Sequence, residues 1–420
     1  MLEAEAALGS RAAAWDAVLA TVGAAHGLDH LGPPPDLASL APWRDPAAVD
    51  LLGPTHEALV KGRQASGAFY TPPALVDWIL DRALPPDPAA VRPTVLDPSC
   101  GAGHVLVAVV RRLVASAVSA QEAVGLVHGV DLDPVAVAIT TLRLRILAPD
   151  VLPDVRLGDG LDPHPGAPYD VVVGNPPFGG RLRPRGSRAP ARSPGLGAYT
   201  DTSAVFLHHA LGLVRPGGTV ALVQPLSLLG ARDAAPVRDA VRRAGALTAF
   251  WSTTTPVFPG TAVLTCVPVV RVGVDQEQDR DQVETWHGPG LVAGARRPLP
   301  DAEWGPLAAA AAGIPKVSLP PARTAGSVGD LAACTADFRD QYYGLVPFVR
   351  DGPPGVPLVT SGLIDPARCR WGSAPTRFAK RRFAAPTVDL DALHEEGSLS
   401  AWARARLRPK VLVATQGRVI

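Results

Sequence analysis

The sequence predicts an α/β protein built on a doubly wound, mostly parallel sheet. Three short β-type runs, TVLD, VHGVD and VRLGDG, each lead into an acidic residue. The first two are followed by long apolar stretches with helical spacing, and this alternation is typical of parallel sheets. A fourth run, YDVVVG, is apolar at consecutive positions, as expected for a strand that is covered on both faces.

Composition places the chain among ordinary globular proteins. Its 420 residues are 47% hydrophobic and 19% charged, which allows two or three domains with a large core. The net charge of +1 gives no overall attraction to nucleic acid, so any such binding requires a local patch. The four cysteines form no C-x-x-C pair, which argues against a zinc ribbon or a disulfide framework. Without a long apolar run or a signal pattern, we expect a cytoplasmic protein that uses neither a membrane nor a metal.

The first 60 residues are rich in alanine and interrupted by prolines, and they predict two or three short helices with no visible chemistry. A polar loop then ends in Tyr70-Thr71-Pro72 and precedes a helical run, ALVDWIL. Thr71 stands where an N-cap belongs and Pro72 stands at the first helical position. Taken alone, the segment predicts a capped helix.

The turn PSCGAG begins at Pro98, directly after a strand that ends at Asp97. Gly101 and Gly103 would let the backbone approach a ligand at the start of the following helix. A dinucleotide motif G-x-G-x-x-G requires a third glycine where Leu106 stands, and this weakens the nicotinamide interpretation. The Asp97 carboxylate suits a positively charged group better than a pyrophosphate.

Two more acids follow later strands. Asp131 closes the second strand and could accept both hydroxyls of a ribose, as acids do in nucleotide-binding folds. Asp159 follows the third strand and could accept from an adenine amine. One such acid is commonly a cap or turn residue. Three of them in register with a glycine turn favour a ligand site at the carboxyl edge of the sheet.

The fourth strand ends in Asn175-Pro176-Pro177-Phe178. The prolines end the ladder pairing and hold Asn175 outside the helical region, which predicts a rigid loop. Asn175 offers a side-chain oxygen, Pro176 offers a carbonyl, and Phe178 offers a flat face. This combination would hold a planar group that bears an amine, although alone it is equally a turn that ends a strand.

The residues after Phe178 give less specific predictions of structure and function. The stretch 181–200 carries five arginines and is either a solvated loop or a phosphate-contacting one. The runs LTAFWST and AVLTCVPVVRV, with no helix between them, predict a hairpin at the sheet edge. We therefore place a helical segment at 1–60, a catalytic domain at 61–275, and a linker with a C-terminal region at 276–420.

The C-terminal region interleaves basic and aromatic residues between 361 and 383, as either a nucleic-acid surface or an ordinary amphipathic surface would. The set comprises Arg368, Arg370, Trp371, Arg377, Phe378, Lys380, Arg381 and Arg382. The final run, RPKVLVATQGRVI, predicts a strand that lacks its partner, and we expect a C-terminal region that is cut short.

The motifs Tyr-Thr-Pro, DPSCGAG, GVDLDP, GDG and NPPF, in this order over roughly residues 60–275, resemble the gamma class of N6-adenine DNA methyltransferases. The resemblance implies a seven-stranded sheet of the S-adenosylmethionine-dependent methyltransferase type, with N-terminal helices and a partial C-terminal recognition region. It implies S-adenosylmethionine as the cofactor and a flipped-out adenine in double-stranded DNA as the target. It also implies a specificity, restriction or defence protein as a partner.

Roles are carried over by position. Thr71 and Asp97 would lie near the methionine part of the cofactor, Asp131 at the ribose and Asp159 at the adenine. The full set of expected cofactor contacts is Tyr70, Thr71, Pro72, Asp97, Pro98, Gly101, Gly103, Asp131, Asp159 and Asn175. The expected catalytic residues are Asn175, Pro176, Pro177 and Phe178. A protein-glutamine or RNA methyltransferase, or an inactive subunit that binds cofactor and DNA, remains an alternative.

Overall fold

The computed structural model describes residues 1–28, 32–59, 71–179, 195–197, 200–258, 261, 263–273, 282–296, 304–311, 333, 335–365 and 368–412. Tyr70 and the five arginines between 181 and 192 lie outside these ranges. The chain divides into two compact units, residues 1–315 and 316–420. Of the helices within the described ranges, none has the length and apolarity to cross a lipid bilayer.

The first unit contains one large sheet. Its strands are β1 (Val95–Asp97), β2 (Val127–Asp131), β3 (Asp154–Leu157), β4 (Tyr169–Gly174), β5 (Val214–Leu222), β6 (Gln224–Pro225), β7 (Gly245–Ser252), β8 (Thr265–Val272), β9 (Glu284–His287) and β10 (Val292–Ala293). Seven of them lie in the order β3-β2-β1-β4-β5-β8-β7, and β8 runs antiparallel to both of its neighbours. The predicted fold class, a doubly wound and mostly parallel seven-stranded sheet, is confirmed.

The far edge of the sheet extends beyond the prediction. Strands β7 and β8 form the expected antiparallel pair beyond β5, with β8 next to β5, but this pair is not the last part of the sheet. Strand β9 then pairs in parallel with β7 and β10 pairs with β9, which satisfies backbone groups that would otherwise stay open along β7. The sheet therefore continues to residue 293, and the boundary expected at 275 falls inside the first unit.

Helices cover both faces of the sheet. They are α1 (Leu2–Leu8), α2 (Arg11–Ala25), α3 (Leu52–Leu59), α4 (Pro73–Ala83), α5 (Pro88–Val91), α6 (His104–Ala115), α7 (Ala120–Gly125), α8 (Pro134–Leu147), α9 (Thr202–Ala210), α10 (Ala235–Ala244) and α11 (Gly305–Ala311). In β4, Val171 and Val173 pack with α4 and α6, whereas Val172 packs with α9 and α10. This two-sided burial explains why the strand is apolar at consecutive positions.

The N-terminal segment packs on the outer side of α8. Trp15 and Leu40 share a buried cluster with Ile139 and Leu142 of that helix. Short 3-10 turns at Ala38–Arg44 and Pro46–Leu51 lead into α3, where the prolines of this segment break longer helices. The segment thus belongs to the same compact unit as the sheet.

The second unit has its own core, formed by Leu345, Phe378, Phe383 and Leu393 among others. Its elements are α12 (Tyr342–Leu345), β11 (Val349–Asp351), β12 (Val356–Pro357), β13 (Ile364–Asp365), β14 (Arg368–Cys369), β15 (Thr376–Phe378), β16 (Arg381–Phe383), β17 (Pro386–Val388), α13 (Leu390–Glu396) and α14 (Ser400–Arg406). The strand predicted near the end is absent from 408–412, where Lys410 instead pairs with Asp337; the remainder of that run lies outside the described residues.

Replacing Gly245 by alanine should destabilise the sheet. A Cβ atom there would lie 1.9 Å from the Arg271 carbonyl oxygen, and the backbone cannot retreat because Gly245 pairs with Val272. We expect the free energy of unfolding to fall by about 1–3 kcal/mol, as in other overpacked sites. Chemical denaturation measures it. Gly125→Ala is the control, because nothing lies within 4 Å of that position and alanine favours a helix. Equal stability of the two variants would contradict the prediction.

Candidate active site

A cavity of about 530 Å³ opens at the carboxyl ends of strands β1 to β4. This volume is in the range of small-molecule sites. Eight of the residues expected from the sequence line it, namely Thr71, Asp97, Pro98, Gly101, Asp131, Asp159, Asn175 and Pro177. The structure therefore brings the glycine turn, the three acids and the asparagine turn together around one space.

Four other expected residues are described but do not line the cavity: Pro72, Gly103, Pro176 and Phe178. Gly103 faces α8, because a Cβ atom at this position would lie 2.6 Å from Thr140. Phe178 is only 8% exposed and packs edge-on against Phe258, with ring centroids 6.2 Å apart. Phe258 is thus a neighbour of the turn that the sequence analysis did not identify.

Thr71 does not cap a helix. Helix α4 begins at Pro73, so Pro72 holds the N-cap position, and no side chain there bonds to the helix start. The prediction of a Thr71 N-cap is wrong, because the helix begins one residue later than the sequence indicated. Thr71 is instead buried and contributes to the cavity wall.

Helix α8 orients the glycine turn. Thr140 Oγ1 donates to the Gly101 carbonyl at 2.7 Å, and Arg143 Nη1 donates to the Ala102 carbonyl at 2.8 Å. On the other side, the Gly101 amide donates to Asp131 Oδ2 at 2.8 Å. The polar groups of this turn are therefore fixed by neighbouring side chains, as pre-organised binding sites require.

A second acid, Asp133, connects Asp131 to the N-terminal segment. The Asp133 amide donates to Asp131 Oδ1 at 2.9 Å, and Asp133 Oδ1 accepts from the Val135 amide to cap α8. Asp133 Oδ2 bonds to His56 Nε2 at 2.9 Å, and this bond is the main cause that lowers the pKa of Asp133. His56 is 8% exposed and lines the cavity with Gly53 of α3.

The sequence analysis missed this contribution of the N-terminal segment. Its alanine-rich composition carried no chemical signal, and His56 lies 77 positions before its partner. The second acid in GVDLDP was the available signal, because an aspartate before proline commonly caps a helix and leaves one oxygen for another donor.

Asp97 is buried at the centre of the site. It accepts from the Ser99 amide at 3.0 Å. Burial raises the pKa of Asp97 to about 7; the Ser99 bond opposes this rise and the charge of Asp131 adds to it. A Cβ atom at Gly174 would lie 2.4 Å from Asp97 Oδ1, so only glycine allows the end of β4 to approach this carboxylate so closely. The acid consequently sits beside the turn that begins at Asn175.

The turn that contains Asn175 is anchored at both ends. Before it, the Val223 amide of the neighbouring chain segment donates to the Gly174 carbonyl at 3.0 Å. After it, the Gly179 amide donates to Asp201 Oδ2 at 3.0 Å, and the Thr202 amide donates to the Gly179 carbonyl at 2.7 Å. Asn175 is the only asparagine in the 420 residues. Its backbone is therefore held between β5 and the start of α9.

Carboxylates dominate the charge of the cavity wall. The acidic lining residues are Glu57, Asp97, Asp131, Asp133 and Asp159. Arg143 brings one guanidinium to the wall, and burial lowers the pKa of the His104 imidazole to about 4, which leaves it neutral near pH 7. Leu132 lines the cavity and is 72% exposed, so it offers apolar surface beside Asp131. The wall thus suits a ligand with positive charge and a flat apolar part.

Several known proteins resemble the chain. Type II methyltransferase M.VspI from Vibrio sp. (strain 343) is 29% identical over 158 residues, which cover 37% of this chain and 36% of that protein. Adenine-specific methyltransferase PglX from Streptomyces coelicolor is 34% identical over 131 residues, which cover 25% of this chain and 11% of that protein. The chain therefore matches about a third or less of the length of these relatives.

A solved structure of the methyltransferase subunit of a type I restriction-modification system from Streptococcus thermophilus aligns with a TM-score of 0.44 and 20% identity, over 64% of this chain and 59% of that one. The family model for N-6 DNA Methylase matches residues 48–286, which include every described residue of the cavity wall. Because this match extends over more than half of the sequence, the chain belongs to the N-6 DNA methylase family.

Proposed function

We propose that the chain is a DNA methyltransferase that moves a methyl group from S-adenosylmethionine to the N6 amine of adenine. The observation that carries the proposal is the position of Asn175, which lines an acid-rich cavity while belonging to a turn that is anchored at both ends. Family membership supports a methyltransferase, and the name of one relative, an adenine-specific methyltransferase, supports adenine as the target.

The residues of the cavity fit S-adenosylmethionine. When bound, the cofactor supplies an electrophilic methyl group on a positively charged sulfur. Asp97 would face the positively charged methionine part, and Asp131, which keeps lone pairs beyond its two backbone bonds, would accept from the ribose hydroxyls. Asp159 would accept from the adenine amine, and Leu132 would cover the flat face of the ring.

The target adenine must leave the DNA duplex to reach this site, at a cost of a few kcal/mol. The Asn175 side-chain oxygen and the Pro176 carbonyl would accept the two protons of the amine and aim its lone pair at the methyl group. Fixed dipoles help most while positive charge develops on the nitrogen. The resemblance assigns Phe178 to stacking on the base, a contact worth about 1–3 kcal/mol, and its ring, which is 8% exposed and packed against Phe258, would have to turn outward to make it.

Asn175→Ala should abolish most of the methyl transfer. Removing one aimed dipole from a reaction centre costs about 10²–10³-fold in rate. Radiolabel transfer from S-adenosylmethionine to unmethylated genomic DNA measures it, with adenine-free DNA, RNA and protein as competing substrates. Titration calorimetry should show that the variant still binds the cofactor. Transfer to RNA or protein instead of DNA would sink the proposal, as would cofactor binding without any transfer even when the products of adjacent genes are added.

The affinity for S-adenosylmethionine should depend on pH through Asp97. Its pKa of about 7 means that the carboxyl is largely neutral at pH 6, and a cationic ligand favours the ionised form. Binding should therefore release a proton below pH 7, and the affinity should rise about fivefold between pH 6 and pH 7, where the ionised fraction of Asp97 grows from about a tenth to about a half. Calorimetry in buffers of different ionisation enthalpy measures the release. Asp97→Asn should bind more weakly and without this pH dependence; an equally steep profile in that variant would contradict the assignment.

His56→Ala should weaken cofactor binding although His56 was not expected in the site. Losing its bond to Asp133 frees the loop that follows Asp131. In metal sites, losing a residue that orients a ligand-binding side chain costs about 10–100-fold in affinity, and we expect a smaller effect where no metal is held. We expect a loss of about 3–10-fold by calorimetry. His26→Ala is the matched control, because His26 belongs to the same segment and, among the described residues, its ring bonds to the Pro46 carbonyl and not to a residue of the cavity wall. Equal effects of the two substitutions would mean that the whole segment, not the pair, supports the site.

A further inference from the structure

The second unit contains a short ribbon formed by β15 and β16, residues 376–383, which we call the 376–383 hairpin. Its two strands are joined by Ala379 and Lys380 alone, with φ angles of 47° and 65°. Left-handed backbone at both turn positions is the type I′ geometry, whose twist matches that of paired strands. The Ala379 amide also donates to the Tyr342 hydroxyl at 2.8 Å, which fixes the turn on α12.

The hairpin buries its aromatic residues and exposes its charges, although the Arg381 guanidinium lies 5.3 Å from the centroid of the Phe383 ring. Phe378 and Phe383 are 2% and 3% exposed and belong to the core of the second unit. Four cations remain exposed on the same eight residues, namely Arg377, Lys380, Arg381 and Arg382. The sequence predicted that basic and aromatic residues share one surface. In the hairpin, Phe378 and Phe383 instead anchor the ribbon to the core, and the cations are exposed to solvent. Base stacking on these two buried rings is therefore not available.

The charges are arranged unfavourably for the free protein. Arg377 and Arg382 stand directly opposite each other across the two strands, and like charges in that relation destabilise a sheet. Within the described parts of the second unit, the arginine and lysine ion pairs are Arg406–Asp340 and Lys410–Asp337, and none involves the hairpin. Asp351, near the end of β16, accepts from the Ala384 and Ala385 amides.

We propose that the 376–383 hairpin contacts the phosphates of duplex DNA. One face of the ribbon is buried in the core, and Arg377 and Arg382 lie side by side on the other face, where their guanidinium groups could bind neighbouring phosphate oxygens. Phosphates would relieve the repulsion between Arg377 and Arg382. The assignment rests on the proposed function for its partner, since DNA is the substrate proposed there. It also assigns a role in binding the DNA duplex to the second unit, which lies outside the residues matched by the family model.

The test is DNA binding by the full chain with Arg377→Gln and Arg382→Gln combined. Fluorescence anisotropy with duplex oligonucleotides over a range of salt concentrations measures it. Each lost phosphate contact should lower the slope of log affinity against log salt by about 0.9, so we expect a decrease of about two and weaker binding to every duplex sequence. Thermal stability should stay equal or rise, because a like-charge pair is removed. Arg296→Gln is the matched control, since that exposed arginine already has Glu284 as its partner.

A second variant guards against misfolding. Lys380→Gly removes one cation and places glycine at a left-handed position, so it should stabilise the turn and lower the salt slope by about one. Unchanged affinity and slope in both variants would overturn the proposal. Equal wild-type affinity for A-form RNA, with an equal loss in the variants, would also overturn it, because the hairpin would then bind any double-stranded polyanion and not DNA in particular.

Failure of this assignment and failure of the proposed function give different results. If the wild type methylates DNA and both variants bind DNA normally, the hairpin assignment fails alone. If the wild type binds DNA through the hairpin but transfers no methyl group to it, the methyltransferase proposal fails and the DNA contact stands.

Discussion

The carboxylate of Asp131 holds two parts of the site in one arrangement. Its two oxygens accept from the amides of Gly101 and Asp133, so the glycine turn and the start of α8 are positioned by a single side chain. Asp133 extends the connection to His56 in the N-terminal segment. A carboxylate in this role must stay in place whether or not a ligand is bound, which explains why backbone amides and not mobile side chains bind its two oxygens.

The sheet and most of the cavity wall could be predicted from the sequence because their signals are local. A buried strand and the acid or Asn-Pro-Pro turn that follows it are adjacent in the sequence, so both can be recognised from a short segment. Parallel strands then bring their carboxyl ends to one edge of the sheet. The position of His56 could not be predicted, because its pairing with Asp133 depends on how the N-terminal helices pack on α8. The start of α4 at Pro73 was missed for a smaller reason, since consecutive prolines offer two acceptable first positions.

The same limit applies to the second unit. Alternating basic and aromatic residues gave the correct composition for a charged surface, but sequence alone could not separate buried rings from exposed cations. That separation depends on the hairpin register, which pairs Thr376 with Phe383 and Arg377 with Arg382. A shift of one residue would exchange the faces and expose the phenylalanines. The left-handed turn at Ala379 and Lys380 fixes this register despite the steric cost to residues with side chains.

The single asparagine of the chain has a consequence for observing the site in solution. Asn175 lies in the cavity wall within an anchored turn, and no other residue carries the same side chain. Isotopic labelling of asparagine with nitrogen-15 would therefore place one pair of side-chain amide resonances, from the wall of the cavity, in the spectrum of the whole protein. Cofactor and nucleic acid could each be titrated against that one signal, so the order in which they reach the turn becomes measurable without any substitution.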